Sequence, residues 1–503
     1  MFPLASPLSS DGFKSPPRLL YPMNLIDLKP GQVYQGIVKI VGKRVPGPTV
    51  IRVTDGSFTL EAVGKAQDFD IGDIVELTGP ALRRLGKVQI EIKTIQKSSN
   101  PLPLQDVAKD LDTKLVVSTP LNEKLRPKFI EAALRIRGAI MADQPVILRH
   151  HADADGVSGA ILVEKALQDL CRSRGMKPEQ YVYRMPSKVP FYDVADAIWD
   201  VSFTRRVIEQ RGLPQPLIVN IDNGSTEEDL FALKLMHAIG FPLVVIDHHN
   251  PGIVKDGVSD VDQFLDVHVN PILLGGTYWS TSAMLCYEIA HFINPKIDLK
   301  LLPAISAVSD RSESDEGKKY MVLSGASHEE LRNLAICFDF LSYHLRNDSA
   351  TVLFDEILSN QDLVAAIVEE VKMHVERQIE TVLPHAELHK FDSATLAVID
   401  LAKSGDRFGF PPAGKLTGQV HDRIKAGNPG VVLTLGILPG LIIIRETSPL
   451  LPVKKIIDDF QKANPNVHVS GGGHDVAGTI KCPSDATPAV IEFVKNALAA
   501  IHK

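Results

Sequence analysis

Residues 145–156 read PVILRHHADADG: the aliphatic residues Val146, Ile147 and Leu148 run within a few positions into two histidines and two aspartates. Two later stretches follow the same grammar, QPLIVNIDNGS (215–225) and PLVVIDHHNP (242–251). Each is short and continuously apolar, as a strand covered on both faces must be, and each runs straight into a polar loop. Helical patterns separate them, VSGAILVEKALQDLCRS (157–173) and TEEDLFALKLMHAIG (226–240). Such strands alternating with helices predict an α/β fold: a parallel sheet with βαβ crossovers, whose ligands gather at the carboxyl ends of the strands.

Those strand ends carry the chemistry. Side chains alternate in an extended segment, so His151, Asp153 and Asp155 are expected on one face and His150 on the other, as a structural residue. Asp222 closes the second stretch, and Asp247, His248 and His249 close the third. One aspartate at a strand end is ordinarily a turn former or cap. Three buried strands that each deliver ionisable groups are another matter, because charge there is costly unless a cation compensates it. So many carboxylates beside imidazoles suit two Mn²⁺ or Mg²⁺ ions about 3.5–4 Å apart, a pair able to activate water against a phosphodiester.

Working outward, residues 1–22 are rich in Pro, Ser and Leu without periodicity and predict a mobile tail. Over 23–100, alternating segments (QVYQGIVKIVG, TVIRVTDGSFTLEAVG, DIVELTG, KVQIEIKTIQ) are punctuated by Pro46-Gly47-Pro48, Asp55-Gly56 and Gly79-Pro80, which predicts an OB-like β-barrel. Its basic residues Lys39, Lys43, Arg44, Arg52, Arg83, Arg84 and Lys87 could follow a phosphate backbone, with Tyr34 or Phe58 stacking on bases. The parallel-sheet domain is expected over 120–326. A helical connector is expected over 327–390, where Leu363, Ile367, Val371, Val375, Ile379 and Val382 keep a helical stripe. A smaller α/β domain follows over 391–503, with strands ATLAVIDLA, GVVLTLGIL and LIIIRE. Within it Gly471, Gly472 and Gly473 predict a tight turn with exposed N–H groups, an anion-binding nest to which His474 adds a donor.

Composition narrows the class. With 503 residues, 44% hydrophobic and 23% charged, the chain has ordinary globular values, which excludes disordered, collagen-like and coiled-coil architectures and leaves room for about three domains. A net charge of −7 excludes a uniformly basic nucleic-acid coat, yet 23–100 carries about three more basic than acidic residues, a local exception. No apolar run reaches the roughly 18–20 residues of a membrane span. Val431 to Ile444 comes nearest and is broken by Gly436, Pro439 and Gly440. The first residues have no secretory pattern, and the four cysteines have no CxxC spacing. A cytoplasmic protein with no membrane partner, disulfide framework or structural zinc is expected.

HADADG, NIDNG and above all VVIDHHNP resemble the signature motifs of the DHH phosphoesterases, and VSGGGHDVAGTIKC (469–482) resembles the glycine-rich motif of the DHH-associated C-terminal domain. The likeness covers about residues 125–500 and, with the N-terminal barrel, is closest to the archaeal RecJ-like single-strand-specific exonucleases. The resemblance implies a DHH catalytic domain followed by a DHH-associated substrate-binding domain. It implies that His151, Asp153 and Asp222 hold one metal, and that Asp155, Asp222, His248 and a later aspartate, read as Asp310, hold the other. By the same likeness two divalent cations, Mn²⁺ ahead of Mg²⁺, are the cofactors. Asp247 would orient the ligand imidazoles, and His249 would face the scissile phosphate. Arg445, Gly471, Gly472, Gly473 and His474 would grip the substrate. The implied activity is 5′-to-3′ exonuclease action on single-stranded DNA or RNA. An oligoribonuclease or cyclic-dinucleotide phosphodiesterase is one alternative. Another is a replisome scaffold with little or no turnover, bound to GINS and the replicative helicase.

Overall fold

The computed structural model describes residues 24–45, 49–102, 107–108, 111–187, 189–345, 351–406, 409–474 and 476–501. The tail expected at 1–22 lies outside the described residues. In the N-terminal unit, β1 (Val33–Arg44), β2 (Thr49–Thr54), β3 (Thr59–Gly64), β4 (Ile74–Arg84), β5 (Lys87–Glu91) and β6 (Thr94–Lys97) form a sheet in the order β1-β2-β3-β5-β4-β6. A further β1–β4 pairing closes the first five strands into a barrel, in which β3 and β5 run parallel. Period-two alternation fills it: Val38, Ile40, Ile51, Val53, Val75, Leu77 and Ile90 are all fully buried.

Tyr34 belongs to that inward set. It lies two and four positions before Gly36 and Val38 on β1 and is 1% exposed. A Cβ on Gly36 would stand 2.7 Å from the Tyr34 hydroxyl, so the glycine leaves room for the ring to lie along its own strand. The expectation that Tyr34 stacks on bases is therefore corrected: the ring is a core residue, and Phe58 packs partly buried against the same core.

The rest of the chain contains a second sheet of β7 (Val146–His151), β8 (Val182–Ser187), β9 (Leu217–Ile221), β10 (Leu243–Ile246) and β11 (Val267–Val269). All its pairings are parallel, in the order β11-β10-β9-β7-β8. Helices α1 (Pro120–Met141), α2 (Ala154–Ser173), α3 (Val194–Phe203), α4 (Leu230–Ala238) and α5 (Ser282–Ile293) accompany it. The start of α1 is written locally: the Thr119 side chain accepts from Asn122 N, and Pro120 occupies the first turn. From β7 the chain goes to β8 on one side and returns to β9 on the other. The carboxyl ends of β7 and β9 therefore flank the topological switch point, where such sheets bind ligands.

Helices α6 (Leu301–Ser309), α7 (Asp315–Ser324), α8 (His328–Leu345), α9 (Thr351–Ser359) and α10 (Gln361–Val382) follow. A third sheet, β12 (Glu387–Lys390), β13 (Ala394–Asp400), β14 (Val431–Leu438), β15 (Leu441–Glu446), β16 (Ser470–His474) and β17 (Ala477–Lys481), has the order β12-β13-β14-β15-β17-β16. With it come α11 (Leu401–Ser404), α12 (Ala413–Gly427), α13 (Val453–Ala463) and α14 (Thr487–Ile501). The stripe on α10 does more than connect: Ile379 and Val382 are buried in one cluster with Ile399, Leu416 and Val420 of this last region.

Because Tyr34 fills the barrel, Tyr34→Ala should destabilise that unit by about 3–5 kcal/mol, the usual cost of truncating a buried ring to alanine. Hydrogen exchange on the full chain should show lost protection across β1–β5. Unchanged protection would put the ring back on the surface.

Candidate metal centre

The HADADG run is a strand-to-helix turn. β7 ends at His151 and α2 begins at Ala154, so the expected alternation of one extended strand stops short of Asp153 and Asp155. The turn brings them together instead. Asp153 Oδ1 accepts from Gly156 N at 3.0 Å and so caps α2. A Cβ on Gly156 would meet His151 O at 2.4 Å, so only glycine allows the helix to start this close to the strand. Asp155 then lies in the first turn of α2, fully buried. It also serves the start of α5, accepting from Ser282 N at 2.9 Å and Ala283 N at 2.8 Å.

Asp222 follows β9 with φ +60, in the left-handed region that non-glycine residues rarely occupy. That backbone turn directs its carboxylate back among its neighbours, 3.3 Å from His151 Nδ1 and 3.3 Å from His248 Nε2. His248 Nδ1 donates to the Tyr278 carbonyl, which leaves Nε2 facing oxygen from three carboxylates. Asp222 is 3.3 Å away, Asp310 3.5 Å and Asp155 3.6 Å. Asp310 arrives from the end of α6 and is the most distant of these in sequence.

Asp247 accepts from His248 N at 2.7 Å. The imidazole it orients is His249, through Nδ1 at 2.8 Å, while Ser225 N donates to its other oxygen at 3.1 Å. The Tyr278 carbonyl does for His248 what Asp247 was expected to do. Asn270 adds a brace, donating to His249 O at 2.9 Å and to Ser225 Oγ at 3.0 Å. Ser225 closes a motif stretch, while Asn270, Tyr278 and Ser282 lie outside every motif and carried no sequence signal. His150 joins none of this: its Nδ1 faces His151 O, and burial, helped by Arg184, pushes its pKa down to about 3.

The electrostatics are those of crowded like charges. Burial, with Asp222 and Asp310 beside it, drives Asp155 well above the ordinary carboxyl range. Burial likewise raises Asp310, against the pull of His248. The imidazoles respond in the opposite sense. Burial disfavours a charged His151, but Asp153 and Asp222 outweigh it and hold the ring well above its usual pKa. His248 and His249 are raised against burial in the same way, His248 first by Asp222 and His249 first by Asp247.

Among the described residues, three groups have ligand atoms within 4.8 Å of one another: His151, Asp153 and Asp222; Asp155, His248 and Asp310; and Asp222, His248 and His249. An imidazole nitrogen aimed at carboxylate oxygens needs a cation between them, either a proton or a metal. Hard oxygen donors with one or two imidazoles are the donor set of a divalent ion such as Mn²⁺. The residues therefore fit the metal that the sequence motifs call for.

Asp153, His248, His249 and Asp310 line a cavity of about 840 Å³ that Arg445 also lines. Arg445 Nη2 donates to Gly414 O at 3.2 Å, and burial followed by repulsion from Arg311 lowers its pKa to about 10. The glycines differ from expectation. Gly471, Gly472 and Gly473 form β16, an edge strand paired with β17, and not a turn. Cβ atoms on Gly471 and Gly473 would stand 2.1 Å from Thr479 O and 2.4 Å from Ala477 O, and both residues have positive φ, so close approach of the two strands and the backbone conformation together require glycine. The cavity wall takes in Val476 and Ala477 at the end of that hairpin, and Gly472 faces Glu228. The His474 side chain lies outside the described residues.

The N-terminal domain of the DHH family matches residues 145–301. The uncharacterized protein MJ1198 of Methanocaldococcus jannaschii is 32% identical, over 94% of this chain and 70% of that protein. Among solved structures, the DHH domain of a member of the s1p family of ribosomal proteins matches with a TM-score of 0.74 and 33% identity, over 78% of this chain and 95% of that one. RecJ from Thermus thermophilus in complex with Mn²⁺ matches with a TM-score of 0.49 and 16% identity, over 79% of this chain and 57% of that one. The chain belongs to the DHH family of phosphoesterases. Among the described residues no helix is long and apolar enough to cross a membrane.

The burial of Asp310 among other carboxylates gives a test of metal binding. Its folded pKa is raised, so the metal-free protein loses stability as pH climbs from about 4, where an unfolded carboxyl ionises, toward the folded value. Asp310→Asn should therefore melt about 2–4 °C higher than wild type in EDTA at pH 8, the shift about 1 kcal/mol produces in a domain of this size. It should also lose most of the rise in Tm that Mn²⁺ confers on wild type. An unchanged Mn²⁺ response would remove Asp310 from the ligand set.

Proposed function

We propose that this protein is a metal-dependent phosphodiesterase of single-stranded nucleic acid, acting as a 5′-to-3′ exonuclease on DNA or RNA like the RecJ-like enzymes it resembles. The observation that carries the proposal is the cavity: carboxylates and imidazoles fit for divalent cations occupy part of its wall, and the guanidinium of Arg445 occupies another. A phosphodiester is an anion that needs both.

Two divalent cations, Mn²⁺ ahead of Mg²⁺, would be held by His151, Asp153 and Asp222 and by Asp155, Asp222, His248 and Asp310. Bound there, they would supply Lewis-acid polarisation of the phosphoryl group and make water nucleophilic at neutral pH. The protein's own part begins with Asp222, whose carboxylate stands 3.3 Å from His151 Nδ1 and 3.3 Å from His248 Nε2 and so would serve both sites. Asp247 holds His249 through Nδ1, so Nε2 is the atom that would meet the substrate. With its pKa raised against burial by that carboxylate, His249 is suited to pass a proton to the departing oxygen. Arg445 neutralises charge on the phosphate and turns it toward the carboxylates. Gly471, Gly472, Gly473 and His474 would hold the strand beyond the reacting phosphate, where the edge of β16 offers N–H groups to an incoming backbone.

In the barrel, Arg83, Arg84 and Lys87 are exposed around the β4–β5 turn, while no aromatic ring is exposed among its described residues. The barrel is thus suited to following phosphates without stacking on bases, which fits a strand of any sequence.

End-labelled single-stranded DNA and RNA incubated with Mn²⁺ should shorten stepwise from the 5′ end. Asp222→Asn should abolish cleavage, and His249→Asn should slow it about 10²–10⁴-fold, the usual worth of a general acid. Cleavage of dinucleotides alone would move the protein to small substrates. Intact strands after incubation with folded, Mn²⁺-binding protein would overturn the proposal.

A further inference from the structure

Besides Arg445, the cavity wall carries Arg311, Arg332, Lys415 and Lys425, none of them singled out by the motifs or the comparisons, and Lys415 is the one tied to the turn of the ligand aspartates. Lys415 lies in the first turn of α12, and its ammonium is ion-paired with Asp339 of α8. The other oxygen of Asp339 accepts from Ala154 N at 3.0 Å, at the turn that carries Asp153 and Asp155. Lys415 keeps 39% of its side chain exposed and lines the same cavity as Asp153, Asp310 and Arg445. Its charge is felt across that space, where it helps hold Asp153 below its usual pKa and opposes the rise at Asp310.

Helix α12 is shaped to present this face. Gly414 and Gly418, one turn apart, flank the Arg445 guanidinium: a Cβ on Gly418 would stand 3.5 Å from Arg445 Nε, and one on Gly414 3.9 Å from Nη2. Asp422 lies seven residues after Lys415 and so on the same face of the helix. It pairs with Arg311 at 2.8 Å, next in sequence to Asp310. The helix is thereby tied to two turns that carry proposed metal ligands, by Lys415 through Asp339 at one and by Asp422 through Arg311 at the other.

We propose that Lys415 is a substrate-binding residue that contacts a non-bridging oxygen of the scissile phosphate, with Asp339 as the residue that positions it. The proposal rests on the phosphodiesterase reading above and goes beyond it in naming a new residue and a coupling. Dications among the carboxylates would be like charges facing the Lys415 ammonium. A phosphate anion between them removes that repulsion, so metal and substrate reinforce each other through Lys415. Removing the ammonium must then have opposite effects on the two ligands. A lysine that merely struts the domains together would, on removal, loosen the Ala154 turn and weaken both.

The test is Lys415→Met in the full chain, with Mn²⁺ affinity measured by calorimetry and affinity for a short phosphorothioate single strand measured in Mn²⁺ across a salt series. Mn²⁺ should bind as well as in wild type or more tightly. The strand should bind about ten- to a hundredfold more weakly, the worth of one charge-assisted hydrogen bond. The slope of log affinity against log salt should also fall by about 0.7, one lost contact on a single strand. Lys415→Arg, which keeps the charge, should restore most of the strand affinity. Loss of Mn²⁺ and strand together would mark a strut and overturn the proposal, as would loss of neither. If the methionine variant does not fold, Lys415→Gln, which can still bond Asp339, carries the same measurements. Wild-type protein that cleaves no strand would end the phosphodiesterase reading. Wild-type cleavage beside an unaffected Lys415→Met would end this inference alone.

Discussion

Asp222 gathers the charge problem on which the centre depends. It is 1% exposed, its backbone sits at φ +60, and it is shared by two of the three groups able to hold a metal. A strained backbone at a buried carboxylate persists only where its surroundings impose it. Here Asp222 N donates to Ile246 O at 3.0 Å and Ser282 Oγ donates to the carboxylate at 3.1 Å. Around it stand Asp153, Asp155 and Asp310, all carboxylates, with His151 and His248 too few to balance them. Much of the neighbouring polar structure serves to hold these groups where repulsion would scatter them.

The means of holding them recur. Helix starts take up carboxylates: Asp153 caps α2, and Asp155 meets the first N–H groups of α5. Backbone carbonyls set imidazoles, as Tyr278 does for His248. Asp247 accepts from the backbone N–H groups of His248, His249 and Ser225 and holds His249 Nδ1. Each device uses main-chain groups at the ends of elements, so the parallel sheet with its switch point supplies the scaffold as well as the location. The opposite charge comes from the last part of the chain, where Lys415 and Arg445 line the cavity that Asp153 and Asp310 also line.

Much of this was legible from local pattern. Continuous apolar runs announced β7, β9 and β10, and each proved buried, β7 up to its last residue His151. The motif residues His151, Asp153, Asp155, Asp222 and His248 were visible because several ionisable groups at the end of an apolar strand are too costly to be incidental. Even Asp310, far along the chain, falls beside His248 at 3.5 Å. Two of the misreadings share a cause, which is that alternation does not say where a strand starts or stops. Carried too far, it put Asp153 and Asp155 on a strand when they open a helix. Stopped short at Tyr34, whose position on β1 is inward, it made a core ring into a surface platform.

The sequence by itself determined the sheet type, the barrel and the identity of the groups that must share a buried centre, because periodicity and the cost of buried charge act locally. Only the tertiary structure decided which atoms meet. Asp247 turns to His249 and leaves His248 to a carbonyl, the glycine run lies flat as an edge strand, and Lys415 reaches Asp339 from another sheet's helix. Those pairings depend on distances between elements far apart in the chain, and no spacing along a sequence encodes the separation of two helices that pack only after both have folded.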